Sequence, residues 1–289
     1  MNRHEFLTAI HANYKPRNYL EIGVNDGRGL QRSRTRTIGV DPAFRIVVEL
    51  ECDLKLVKAT SDDFFAQDDP IARFPEGIVD FTFIDGLHIF EYALRDFLNA
   101  ERLSGPNSVI VLDDMLPRTV AEAARDRHTR DWTGDVYKVG AVLERYRPDL
   151  VVVPLDTAPT GLLLVVGADP ASTVLKDNYD AILAEYVSED PQAVPEDILH
   201  RRQAADPAKV ASSPIWEELA ANRSATSRPA GIEALRELRG TASYVSNPAP
   251  PVPWPPVKAG KPAAEARSRA NGKPVTLVRR VRRAIKQRL

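Results

Sequence analysis

Between residues 18 and 167, short apolar runs alternate with polar or helix-periodic stretches, and this alternation restricts the fold more than any other feature. Asn18–Gly23 (NYLEIG), Thr37–Asp41 (TIGVD), Leu56–Ala59 (LVKA), Val79–Asp85 (VDFTFID) and Ser108–Asp113 (SVIVLD) read as strands, each ended by polar or glycine punctuation. Phe90–Ser104 places apolar residues at Phe90, Ala93, Leu94, Phe97, Leu98 and Leu103, a helical spacing that Val136–Tyr146 repeats. Apolar strands separated by helices belong to a parallel sheet covered on both faces. Leu150–Leu155 and Leu162–Gly167 depart from this pattern. Only Asp156–Gly161 joins them, which is too short for a crossover helix, so the two should pair antiparallel. The expected architecture is α/β: a doubly wound sheet, mainly parallel, with a closing antiparallel hairpin.

This sheet domain is expected over residues 1–169. A helical extension should follow over 170–243, with helices at Ala171–Glu185, Ile215–Asn222 and Ile232–Leu238. Six prolines within Pro248–Pro256 mark a semi-rigid linker over 244–274 in a disordered, basic tail. In 275–289, Leu277, Val281, Ile285 and Leu289 recur every four residues among arginines and lysines, the pattern of a basic amphipathic helix. From Lys258 to Leu289 there are 11 Lys/Arg and one acid, so the chain's net charge of -1 hides +10 there and -11 in residues 1–257. An acidic body argues against a nucleic-acid-binding core. The tail suits an anionic membrane surface, with an acidic partner or plain solvation as alternatives. No apolar run approaches the ~18 residues of a membrane span, and the N-terminus has no signal-peptide pattern. Cys52, the single cysteine, makes neither an internal disulfide nor a zinc-type CxxC. A cytoplasmic protein, peripheral to the membrane at most, is the expectation.

The first motif is Glu21-Ile22-Gly23-Val24-Asn25-Asp26-Gly27, where two glycines let the chain turn sharply at the start of a following helix. A tight strand-to-helix turn without a ligand uses the same residues. The next strand ends in Asp41, placed to accept ribose hydroxyls, and the third ends in Thr60-Ser61-Asp62, suited to an adenine edge. A dinucleotide loop needs G-x-G-x-x-G, whereas here Gly23 and Gly27 stand four apart with Asn25 between them. Glu21, two residues before the first glycine, suits a cationic amino group. The run resembles the E-x-G-x-x-x-G loop of class I S-adenosylmethionine-dependent methyltransferases, whose Rossmann-like seven-stranded sheet also closes on an antiparallel hairpin. That resemblance implies S-adenosylmethionine as cofactor, on Glu21, Gly23, Asn25, Gly27, Asp41, Ser61, Asp62 and the bordering Asp85.

The second constellation is FIDGLHIFEYALRDF (83–97) with VIVLDDM (109–115). Asp85 and Asp113 end successive strands and Asp114 follows at once, so three carboxylates converge on one sheet edge. A hard divalent cation is a natural neutraliser of such a trio, and helix capping or solvent contact is the alternative. His88, three residues after Asp85, suits proton removal near neutral pH or metal ligation, with simple helix capping as the alternative. These stretches resemble the IDG-x-H-x-x-E and DD signatures of methyltransferase family 24, a group similar to macrocin-type sugar O-methyltransferases and cephalosporin-hydroxylase-like proteins. The resemblance covers Tyr19–Gly167. By analogy with catechol-type enzymes it implies a Mg2+ site on Asp85, Asp113 and Asp114, although those enzymes carry Asn at the third position. His88 stands where they carry a lysine base, so Asp85 and His88 become the implied catalytic pair. The implied activity is metal-assisted methyl transfer to a hydroxyl of a small molecule, sugar or glycan. A metal-dependent oxygenase and a non-catalytic nucleotide-fold binding module are the alternatives. Arg118–Gly134, containing His128 and Trp132, is placed either to cover the site or to make a surface excursion.

Overall fold

Alternate residues of a strand face opposite sides of a sheet, so seven apolar strands require two covering layers. The computed structural model describes residues 1–242. Its strands are β1 (Asn18–Ile22), β2 (Arg36–Val40), β3 (Asp53–Val57), β4 (Phe81–Ile84), β5 (Val109–Asp113), β6 (Val151–Leu155) and β7 (Leu162–Val166). They form one sheet in the order β3-β2-β1-β4-β5-β7-β6. Every pairing is parallel except those of β7, which runs antiparallel to both β5 and β6. The sheet is thus a Rossmann-like, doubly wound one closed by an antiparallel hairpin. Chain order reverses between β1 and β4, and a crevice opens at the carboxyl ends of strands at such a switch point.

The helices are α1 (Arg3–Asn13), α2 (Ser61–Phe65), α3 (Phe90–Arg102), α4 (Lys138–Tyr146), α5 (Val174–Asp177), α6 (Tyr179–Tyr186), α7 (Glu196–Leu199), α8 (Pro207–Ala211) and α9 (Ile215–Ala221). On one face, Phe6, Leu7 and Ile10 of α1 and the following Tyr14 pack with Trp216 and Leu219 of α9 against Tyr19, Phe81, Val109 and Val153. On the other, Phe90, Leu94 and Phe97 of α3 and Val139, Val142 and Leu143 of α4 cover Ile84, Ile110, Leu112 and Val152. Beneath β1 and β2, Leu20, Ile22, Ile38 and Val40 meet Phe64 and Phe65 of α2. Side-chain parity has a direct consequence for the site. Tyr19 and Phe81 face α1, so Glu21, Phe83 and Asp85 follow on that face, as Asp113 follows Val109 and Val111.

Several elements differ from expectation. The glycine turn opens no long helix. Residues 23–35 hold only a 3-10 turn at Leu30–Arg32, because the polar run Arg32–Thr37 offers no apolar stripe to bury. The N-terminal α1 fills the layer there instead, with an Asn2–Glu5 capping box at its start. β3 begins three residues before Leu56, pairing in register along β2 from Arg36 to Val40. The helix expected at Ala171–Glu185 is divided at Asn178, whose side chain Nδ2 donates to the Val174 carbonyl (2.8 Å) and whose φ of -103° leaves the α region. The segment Ala230–Leu238 is a 3-10 helix packed on β6. The expected linker 244–274 and basic helix 275–289 lie outside the described residues. Among the described residues no helix is long and apolar enough to cross a membrane.

Candidate active site at the switch point

The β1–β2 end of the crevice is shaped by the chain's own close approaches. Gly23 has φ +89°, and a Cβ there would lie 1.8 Å from the Asp85 carbonyl oxygen, so only glycine fits where β1 and β4 end side by side. Gly27, at φ +86°, meets Ile46 and Val48. The segment after β2 is laced to the loop: Arg45 N–H donates to the Asn25 carbonyl (2.8 Å) and Val47 N–H to that of Asp26 (3.0 Å). Asn25 itself sits at φ +48°. Asp41 accepts the backbone N–H of Asn25 (2.8 Å) and of Ala43 (2.6 Å), one on each oxygen. A carboxylate has about four lone-pair sites, so Asp41 keeps acceptor capacity after shaping the loop.

Glu21 is buried and accepts the Tyr19 hydroxyl (2.6 Å). Burial, reinforced by Asp85, pushes its carboxyl up to about 8 despite the Tyr19 hydrogen bond and Arg3. Ser61 opens α2 and hydrogen-bonds Asp96, a fully buried carboxyl that desolvation raises to about 7. Asp62 is exposed and pairs with Arg95 of α3 (2.6 Å).

The β4–β5 end is charged. His88 Nδ1 donates to the Trp132 carbonyl (2.7 Å), because a carbonyl can only accept. Nε2 therefore faces Asp85 Oδ1 (3.1 Å) and Asp114 Oδ2 (2.9 Å) either as a second N–H donor or as a bare lone pair. Trp132 stacks on the imidazole, with ring centroids 5.1 Å apart and planes at 25°. Gly134, at φ +61°, presses on the His88 carbonyl, where a Cβ would come within 1.7 Å. The Arg118–Gly134 segment thus covers the site through Trp132 and Gly134, while Trp132 Nε1 is anchored on the Ala124 carbonyl (2.6 Å). His128 is exposed.

Asp114 carries φ +63°, a left-handed conformation uncommon outside glycine, and its N–H donates to Asp113 Oδ1 (2.8 Å). Burial raises the Asp113 carboxyl to about 7, with Asp114 and Asp85 adding to the rise and Arg3 opposing it. Arg3, from the first turn of α1, bridges Asp85 Oδ2 (3.1 Å) and Asp113 Oδ2 with one nitrogen, Nη1. A small pocket, partly open to solvent, is lined by Asp85, Gly86, His88, Asp96, Asp113 and Met115 among others.

A divalent cation fits one part of this end. Asp85, His88 and Asp114 each present a ligand atom, all within 4.8 Å of one another. Two donors ~2.1 Å from a common cation and at right angles to each other stand ~3 Å apart, close to the 3.1 and 2.9 Å measured at Nε2. Asp113, expected beside Asp85 and Asp114, is paired with Arg3, and His88 is the group that lies against both Asp85 and Asp114. Sequence reasoning missed Arg3, whereas the covering of the site by the segment that holds Trp132 was one of its two expectations. The Asn2-x-x-Glu5 capping pattern ahead of Phe6, Leu7 and Ile10 is the signal that announces α1. No local pattern announces Arg3's partners, 82 and 110 residues away.

Residues 20–115, a third of the chain, match a sequence profile described as a methyltransferase domain of family 24. No curated protein matches the chain. Among solved structures, the chain is similar to the O-methyltransferase from Bacillus cereus in complex with SAH, at 18% identity and TM-score 0.42, over 57% of this chain and 80% of that one. It is similar also to the O-methyltransferase TomG from Streptomyces achromogenes, involved in tomaymycin synthesis and complexed with SAM, at 18% identity and TM-score 0.42, over 58% of this chain and 80% of that one. The SAH-bound methyltransferase PaMTH1 of Podospora anserina matches at 17% identity and TM-score 0.42, over 58% of this chain and 78% of that one.

Proposed function

We propose that this chain is an S-adenosylmethionine-dependent O-methyltransferase, with the acceptor hydroxyl held at the Asp85–His88–Asp114 end of the crevice. The observation that carries this reading is the match of residues 20–115, a span that includes every cofactor, catalytic and metal residue expected above. S-adenosylmethionine supplies an electrophilic methyl group. Asp41 shapes the loop through two backbone N–H groups and retains the acceptor capacity a ribose requires. Glu21 is a buried carboxyl kept neutral near pH 7, and a cationic amino group is the partner that would ionise it.

At the other end, Nδ1 of His88 is committed to the Trp132 carbonyl, so Nε2 is the atom that acts. As a base, it takes the acceptor's proton while Asp85 and Asp114 stabilise the imidazolium that results. A second reading rests on the three converging donors: Asp85, His88 and Asp114 hold a divalent cation, which lowers the pKa of a bound hydroxyl. Two carboxylates and one imidazole suit Mn2+ or another first-row ion at least as well as Mg2+. The sugar or glycan acceptor belongs to this proposal through the family resemblance, and a cephalosporin-hydroxylase-like oxygenase is the competitor on the same ligands.

Calorimetry with S-adenosylmethionine tests the cofactor. Asp41→Ala, in a variant that still melts cooperatively, should bind about ten- to a hundredfold more weakly, as expected for losing a charge-assisted contact. No binding by the unaltered chain would sink the reading. A methyl-transfer screen over hydroxylated sugars, with and without EDTA, then separates the two parts for Nε2. Activity that survives EDTA but not His88→Asn assigns it as base, and loss in EDTA assigns it as ligand.

A further inference from the structure

Arg3 occupies a place in the site that the proposed chemistry does not use. Its Nη1 bridges Asp85 and Asp113, two of the carboxylates that converge at the ends of β4 and β5. Asp113 is almost wholly shielded from water, with its side chain 2% exposed, whereas Arg3 is 32% exposed. The guanidinium therefore reaches the acids from the solvent side and has an aqueous route of withdrawal. Asp85 is shared: Oδ2 binds Arg3 while Oδ1 binds His88 Nε2, which also contacts Asp114. A cation among Asp85, His88 and Asp114 would be separated from the guanidinium by one carboxylate. Two positive charges on one carboxylate repel each other.

We propose that Arg3 is the site's built-in counter-ion, and that it competes with a divalent cation for Asp85. Loading the cation requires Arg3 to leave the acids and frees Asp113; unloading returns Arg3 and keeps the acids from facing one another unpaired. The helix that carries Arg3 need not undock. Phe6, Leu7 and Ile10 of α1 and the following Tyr14 are buried in the core, and Asn2 and Glu5 cap the helix start. The movement is confined to one side chain. This inference rests on the cation reading of the Asp85–His88–Asp114 group.

The test is Mn2+ binding, read from the electron paramagnetic resonance of free Mn2+, with no cofactor or acceptor present. Arg3→Gln removes the charge and should bind Mn2+ at least about tenfold more tightly than the unaltered chain. Arg3→Lys keeps a charge on a shorter reach with no planar fork, and should fall between the two. If Arg3→Gln does not fold, Arg3→Lys decides: Mn2+ binding tighter than that of the unaltered chain supports the competition, and equal binding overturns it. Equal Mn2+ affinity in the altered and unaltered chains overturns the competition and leaves the cation site standing. Absence of Mn2+ binding in all of them overturns the cation reading and this inference together. Asp114→Asn in the Arg3→Gln background should abolish the gain, and a gain that persists would place the ion elsewhere and overturn the proposal.

Discussion

The two ends of the crevice handle backbone and charge in opposite ways. At the β1–β2 end, each space a side chain might fill is taken by the chain itself: Gly23 by the Asp85 carbonyl, Gly27 by Ile46 and Val48. Asp41 there is satisfied by two backbone N–H groups. At the β4–β5 end, Asp85, Asp113 and Asp114 crowd around one imidazole and one guanidinium, and Asp114 is held at positive φ. The first end is finished by the chain's own backbone, with Asn25 also at positive φ; the other concentrates charge, a feature that accumulates where chemistry is done.

The largest expected effect comes from breaking the finished end. Gly23→Ala places a methyl against backbone and imposes a left-handed conformation on alanine, so chemical denaturation should show a loss of at least ~3 kcal/mol. Gly86→Ala, where the nearest group is the end of the Asp96 side chain at 3.0 Å, should cost under ~1.5 kcal/mol. Similar losses at the two positions would remove the contrast.

The next effect is a pH dependence, and its sign follows from burial. Glu21 and Asp96 are pushed up to about 8 and about 7. Each keeps its proton in the folded protein over a range in which the unfolded chain, titrating near pH ~4, has released it. Their contribution is thus fully present below pH ~4 and is lost as pH rises toward 7 and 8. Melting temperature should fall between pH 5 and pH 8.5, and Glu21→Gln with Asp96→Asn should flatten that fall. A melting temperature that rises over this range would show that another set of groups governs stability.

The smallest effect sharpens the charged end. Trp132→Phe keeps a ring over His88 but loses the Nε1 bond to the Ala124 carbonyl, so stability should drop by about 1 kcal/mol. Methyl transfer should change little if the ring orients the imidazole and the Trp132 carbonyl holds Nδ1. A loss of activity larger than the loss of stability would point to the indole contacting the acceptor.

Much of this was legible along the chain. Strands at Asn18–Ile22, Phe81–Ile84 and Val109–Asp113 are dense apolar runs with polar ends, and each is short enough for local pattern to settle it. The β6–β7 pairing followed from a link too short to cross over, and period-two parity carries Glu21, Asp85 and Asp113 to one face. The division at Asn178 and the missing helix after Gly27 were overlooked although their causes are local: an asparagine that bonds the carbonyl four residues back, and a polar run with no apolar stripe to bury.

The amino-acid sequence by itself determined the sheet, its closing hairpin and the set of acids at the strand ends, since these follow from periodicity over a few residues. Tertiary structure alone decided which groups meet there. His88 is oriented by a carbonyl 44 residues away, and Arg3 reaches Asp113 across 110 residues. Contacts at that separation are set by how the two covering layers close over the sheet, and no local spacing encodes them. Of the three acids expected together, Asp85 and Asp114 meet His88 while Asp113 meets Arg3, because a helix from the start of the chain brings a guanidinium to Asp113.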